Sequence, residues 1–191
     1  MIENYRKKII IFSILVIFLI LLTALLYFIS PEEIVDKIGV QNGYILAFFV
    51  SLFGGFSAGG SISFISLIIT LVVGGMDPIY LGLVSGIGLA IGDMIMFYAG
   101  SKGRELINEK WTERIDKVAH FFKKRKWLEK AIPLISYIYI GFTPLPNDIL
   151  ILFLAAIKYP PKKMLIIITL GDMSFTLLVT ILASKGITLI T

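Results

Sequence analysis

Residues 44–75 read YILAFFVSLFGGFSAGGSISFISLIITLVVGG, without a single Lys, Arg, Asp or Glu. One membrane helix needs about 20 apolar residues. This run of 32 is too long for one span and too short for two spans and a turn. Gly54, Gly55, Ser57, Gly59, Gly60, Ser61 and Ser63 crowd its middle, and clustered glycine and serine break regular structure. Each flank is about a dozen residues, half a bilayer by the same length rule. The stretch reads as a helical hairpin that enters the lipid and leaves on the side it came from. Ala131 to Ile157 repeats the pattern, broken by Pro144-Leu145-Pro146-Asn147-Asp148.

Unbroken runs surround these two. Ile9 to Ile29 carries no charge and follows Arg6, Lys7 and Lys8. It lacks a small-residue cleavage pattern and reads as a retained span. Ser30-Pro31-Glu32-Glu33 reads as the start of a short surface helix. Pro78 to Gly100 is a span containing Asp93, and Met164 to Ala183 is a span containing Asp172. The whole chain has 191 residues, 57% hydrophobic and 16% charged, with mean hydropathy +0.91. Soluble domains run about 45–50% apolar and about 25% charged. The expected fold class is therefore all-α, a polytopic helical membrane protein.

Charge sets the expected sidedness. Net charge is +5, and residues 102–130 alone hold ten Lys/Arg against five Asp/Glu. If both broken stretches return to their own side, residues 1–8, 102–130 and 158–163 share one face. Together they hold sixteen of the 18 basic residues, leaving Lys37 and Lys185 opposite. Basic loops stay in the cytoplasm. The expectation is a multi-pass protein of the cell membrane, N-terminus cytoplasmic and C-terminus outside.

The two halves also match in order. Gly92-Asp93-Met94 recurs as Gly171-Asp172-Met173, and Ser101-Lys102-Gly103 as Ser184-Lys185-Gly186. Each follows a broken hairpin and a turn with proline, Asp77-Pro78 or Pro160-Pro161. On the expected topology the two units run in opposite directions, an inverted repeat. The organisation expected is an N-terminal anchor and outer connector over 1–43 and a membrane domain over 44–186. That domain divides into repeat one at 44–103, an amphipathic basic helix at 104–130 and repeat two at 131–186. Paired interrupted segments in two halves point to a transporter's binding site.

Cys is absent and His120 is the sole histidine. Disulfides, thiolate catalysis and multi-histidine metal sites are excluded, and no nucleophile–base pair suggests an enzyme. No cofactor or metal is expected. A central Asp in a span costs about 2.5–3.5 kcal/mol, so Asp93 and Asp172 are expected to face the interior and to serve function. Asn147 or Asp148 suits an N-cap of the second half-helix. The same helix end, left open at membrane depth, would instead attract an anionic headgroup. Ser61 and Ser63 would play the parallel part in the first hairpin. The candidate headgroup path is thus Ser61, Ser63, Thr143, Pro144, Pro146, Asn147 and Asp148. Gly82/Gly86 and Gly88/Gly92 are spaced to let helices approach closely.

Ile107, Trp111, Ile115, Val118 and Phe122 form one apolar stripe along the basic helix. Glu113 and Lys117 pair on its polar side. Lys123-Lys124-Arg125-Lys126 suits anionic lipid headgroups at the leaflet surface. Sidedness explains this charge without nucleic acid. A homo-oligomer is compatible with the pattern.

These features resemble the DedA family, whose shared region is the VTT or SNARE-associated domain. The resemblance covers residues 44–186. It rests on the glycine-rich first hairpin, Gly92-Asp93-Met94-Ile95-Met96-Phe97-Tyr98-Ala99-Gly100, and Gly141-Phe142-Thr143-Pro144-Leu145-Pro146-Asn147-Asp148. It implies two opposed re-entrant hairpins and lipid transport of flippase or scramblase type, with polyprenyl phosphate or phospholipid as substrate. Family members often carry an acid in the first hairpin and arginines around the second. Residues 54–63 hold no acid here, and 131–157 no Lys or Arg. That departure favours a polar, dipole-lined path. A proton- or cation-coupled solute carrier and a non-transporting assembly factor are the alternatives.

Overall fold

The computed structural model describes residues 42–56, 60–103, 109–143 and 145–188. The expected span at 9–29 and the surface helix at 30–33 lie outside the described residues. Every described element is a helix.

The first broken stretch forms two helices of 14 residues, α1 (Gly43–Phe56) and α2 (Gly60–Val73). Each is about 21 Å long at 1.5 Å per residue, short of a hydrocarbon core of about 30 Å. The arms fold back on each other, since Gly43 at the start of α1 abuts Leu71 and Met76 at the end of α2. The closing turn needs glycine. Gly75 takes a φ of +92°, donating to Val72 O at 3.0 Å while Met76 donates to Leu71 O at 3.2 Å, a common helix stop.

Helix α3 (Pro78–Gly103) has 26 residues. Asp77 caps it, its Oδ1 accepting from the amides of Ile79 and Tyr80 at 2.9 Å each, and Pro78 fills the first position, where no amide donor is needed. Helix α4 (Glu109–Lys124) and helix α5 (Lys126–Phe142) follow. Helix α6 (Asn147–Ala156) is short, with 10 residues, and α7 (Pro161–Thr188) is the longest, with 28.

One expected boundary is corrected. The basic segment is not one helix to residue 130. It stops at Lys124, Arg125 adopts an extended conformation (φ −101°, ψ 91°), and residues 126–130 begin α5. Cations are favoured at a helix C-terminus, where carbonyls gather negative charge, so Lys123 and Lys124 suit an ending there. Of the expected stripe, Ile115 packs against the core, beside the buried Ala119. Trp111, Val118 and Phe122 lie on α4, and Ile107 lies outside the described residues.

Helix α3 is the centre of the molecule, packing most extensively on α1, then α7, then α6. Its glycines divide between neighbours. Gly88 and Gly92 lie against the α1 backbone at Phe48 and Leu52. Gly82 faces Leu177 and Thr180 of α7, and Gly86 faces Met173 and Thr176. Advancing along α3 thus retreats along α7, so the two long helices are antiparallel. Thr176 Oγ1 ties them, donating to Gly82 O at 2.7 Å.

Large apolar side chains cover much of the outside of the long helices, and several polar ones join the apolar core. Ile87, Ile91, Ile95 and Tyr98 on α3, and Leu165, Ile166, Leu170 and Leu182 on α7, are exposed. Ser51, Ser85, Asp93, Ser136, Asp172, Thr176 and Thr180 are buried. Helices α3 and α7 are long and apolar enough to cross a membrane. This is compatible with a membrane protein.

Candidate functional site

The two Gly-Asp-Met triplets meet near the middle of the molecule. Asp93 lies fifteen residues, or about 22 Å, from the start of α3, and Asp172 eleven residues, or about 17 Å, from the start of α7. Both carboxyls are buried, at 1% and 0% exposure. Close packing forces them inward. The Leu52 carbonyl presses on Gly92 just before Asp93, and Gly171, just before Asp172, presses on Ile140 of α5. Each acid therefore follows a glycine on which the first arm of a broken stretch rests.

Asn147 connects them. Its Nδ2 donates to Asp172 Oδ1 at 3.5 Å, the long end of a hydrogen bond, and it shares the wall of one pocket with Asp93. The second oxygens remain: Asp93 Oδ2 and Asp172 Oδ2 are buried and have no hydrogen-bond partner. Asp148, half-buried, lines the same pocket as Asp93.

A pocket of about 310 Å³ opens beside these groups. Gly54 and Gly55 from the end of α1 line it on one side, and Thr143, Leu145, Pro146, Asn147 and Asp148 on another. The end of α1 and the second break therefore border one cavity. Asp93 forms part of its wall, while Asp172 sits behind Asn147. Phe64, Leu89, Ile140 and Phe175 supply apolar wall, and no Lys, Arg or His is among the described lining residues.

The second break is braced. Thr143 Oγ1 donates to Tyr139 O at 2.6 Å, ending α5, and Tyr139 Oη donates to Pro146 O at 3.2 Å. Tyr137 Oη and Ser174 Oγ share a hydrogen bond of 3.0 Å that ties α5 to α7. Neither Asn147 nor Asp148 is the N-cap of α6. That position is Pro146, and it makes no side-chain cap bond. The proline ring has no polar atom to offer, and Asn147 donates to Asp172 instead.

Of the candidates from sequence, Thr143, Pro146, Asn147, Asp148 and Asp93 line one pocket, with Asp172 one layer behind. Ser61 and Ser63 fall in the first turn of α2. Pro144 lies outside the described residues. Sequence reasoning missed Phe175 and Phe64. Phe175 stands three residues after Asp172, on the same helix face, so spacing alone could have found it. Comparison with protein families, with curated proteins and with solved structures gives no match.

Proposed function

We propose that this chain is a multi-pass protein of the cell membrane that carries lipid headgroups through the bilayer, in the manner of the DedA family it resembles. The observation that carries the reading is the pocket itself. It is polar on one wall, lies about midway along the two long helices, and is bordered by the end of α1 and by the break between α5 and α6, with many large apolar side chains exposed on the outside. Broken backbone at membrane depth is tolerated only against protein or a wet cavity. An interrupted segment from each half at one cavity is the expected anatomy of a transporter site.

The antiparallel α3 and α7, each with a Gly-Asp pair under an incoming arm, support an inverted repeat of residues 44–103 and 131–186. In this reading the hairpins are re-entrant from opposite faces. The N-terminus is cytoplasmic, the C-terminus outside, and the 123–126 cluster rests on anionic headgroups of the inner leaflet. No step calls for covalent chemistry, so the activity is transport rather than catalysis.

The test is reconstitution in liposomes carrying a lipid fluorescently labelled on its acyl chain. A membrane-impermeant quencher reads how fast inner-leaflet label reaches the outside. Faster exchange than in empty vesicles is expected; equal rates would overturn the reading. The two buried carboxyls also suit a proton- or cation-coupled solute carrier. Exchange that needs an imposed ion gradient would favour that alternative.

A further inference from the structure

We propose that the central pocket holds an alkali metal cation, sodium or potassium, on a wall of oxygen ligands centred on Asp93. The site stands on the geometry of the pocket and needs no lipid to pass.

The hydrogens of this wall are already engaged. Thr143 Oγ1 donates to Tyr139 O at 2.6 Å, and Asn147 Nδ2 is turned to Asp172 Oδ1 at 3.5 Å. Pro146 has no amide hydrogen. No Lys, Arg or His is among the described lining residues. What the wall presents is oxygen: the carboxyls of Asp93 and Asp148, the amide oxygen of Asn147 and the hydroxyl of Thr143. Oxygen ligands of this kind suit hard cations.

Asp93 marks the spot. It is 1% exposed, it forms part of the pocket wall, and its Oδ2 has no hydrogen-bond partner. An ionised oxygen there lacks a donor, and a protonated one would lack an acceptor for its hydrogen. A cation in the pocket supplies the partner that no described group provides.

The helix ends point the same way. Gly54 and Gly55 bring the last turn of α1 to the pocket, and Ile140 and Thr143 bring the end of α5. The last carbonyls of a helix have no partner within it, and negative charge gathers there. Two helices thus end at one cavity with their negative poles, which is how interrupted membrane helices hold sodium. At the start of α6, where an anion would otherwise settle, Asp148 stands in the first turn. The charge is sparse, and among the described residues no three Asp, Glu, His or Cys gather as a metal site. Calcium takes about 6–8 oxygens with several carboxylates, so a singly charged ion fits better. A volume of about 310 Å³ leaves it part of its hydration shell, at about 30 Å³ per water.

The full chain, purified in detergent, is equilibrated with radioactive sodium in N-methylglucamine chloride at constant ionic strength. Saturable binding approaching one ion per chain is expected. Unlabelled sodium and potassium are expected to displace it, and their relative strength says which ion the site prefers. Asp93→Asn and Asp148→Asn are each expected to weaken binding at least about tenfold, the usual minimum for disturbing the shell of a bound metal. Asp77→Asn removes an exposed carboxylate outside the pocket and is expected to leave binding unchanged. If Asp93→Asn fails to fold, Asp148→Asn carries the test. No saturable binding, or binding that Asp148→Asn leaves intact, would overturn the site. Calcium or magnesium displacing the label far more strongly than sodium itself would overturn the assignment to a singly charged ion. The binding assay involves no transport, so vesicles that fail to exchange lipid would overturn the lipid path and leave the ion site standing.

Discussion

Asn147 is one uncharged side chain set beside two buried acids. Its substitution removes the hydrogen bond to Asp172 and leaves Asp172 Oδ1 without that donor. An abandoned buried partner costs about 1–3 kcal/mol. Asn147→Leu is therefore expected to lower the melting temperature in detergent by several degrees, at about 2–4 °C per kcal/mol for a chain of this size. Asp172→Asn keeps an acceptor for Asn147 and removes a carboxylate oxygen with no partner. Its melting temperature is expected to stay level or rise. A fall as large as that of Asn147→Leu would contradict this account of the triad. The two acids are legible in sequence because charge inside an apolar run is costly. Their bridge is not legible. Asn147 lies 25 residues from Asp172, and no local pattern tells a cap from a contact across the molecule. The same limit hides Phe64, an ordinary apolar residue until the pocket places it opposite the second break.

At the level of elements, the spacing of the glycines in α3 forecasts close packing but not the partner of each pair. Six residues separate Gly82 from Gly88, which turns the helix by about 240° at 100° per residue. One pair thus faces α7 and the other α1. A Cβ on Gly92 would collide with Leu52 O, a backbone atom that no rotamer change can move aside. Gly92→Ala is expected to destabilise by about 1–3 kcal/mol, the usual range for overpacking. Gly186 in α7 has nothing within 4 Å of an added Cβ. Gly186→Ala is expected to be neutral or to stabilise by up to about 1 kcal/mol, since alanine outranks glycine in a helix. Thermal unfolding of both variants in one detergent checks the contrast; equal shifts would show that α1 can move off α3. The break at Arg125 was not readable, because residues 123–126 contain neither Gly nor Pro. The ending is set instead by the favourable placement of cations at a helix terminus and by the start of α5.

Over the whole molecule, sidedness follows from whether the half-length pairs return. The first pair does fold back, with the start of α1 against the end of α2. If both pairs return to their own face, α4 and residues 158–163 lie together in the cytoplasm and Lys185 lies outside. If the first pair crossed instead, the three basic residues of 1–8 would be parted from those of 102–130 and 158–163; if the second crossed, the ten of 102–130 would be parted from the three of 158–163, in either case against the positive-inside rule. The chain has no cysteine, so a single introduced thiol reports its own side without background. Lys117, Lys124, Lys162 and Lys185 are all exposed and accept substitution with little strain. Lys117→Cys, Lys124→Cys and Lys162→Cys are expected to resist an impermeant maleimide in intact cells and to react after permeabilisation. Lys185→Cys is expected to react in intact cells. Labelling that puts Lys124 and Lys162 on opposite sides would undo the inverted repeat. It would also undo the central pocket as a route across, because the two breaks could no longer approach it from opposite leaflets.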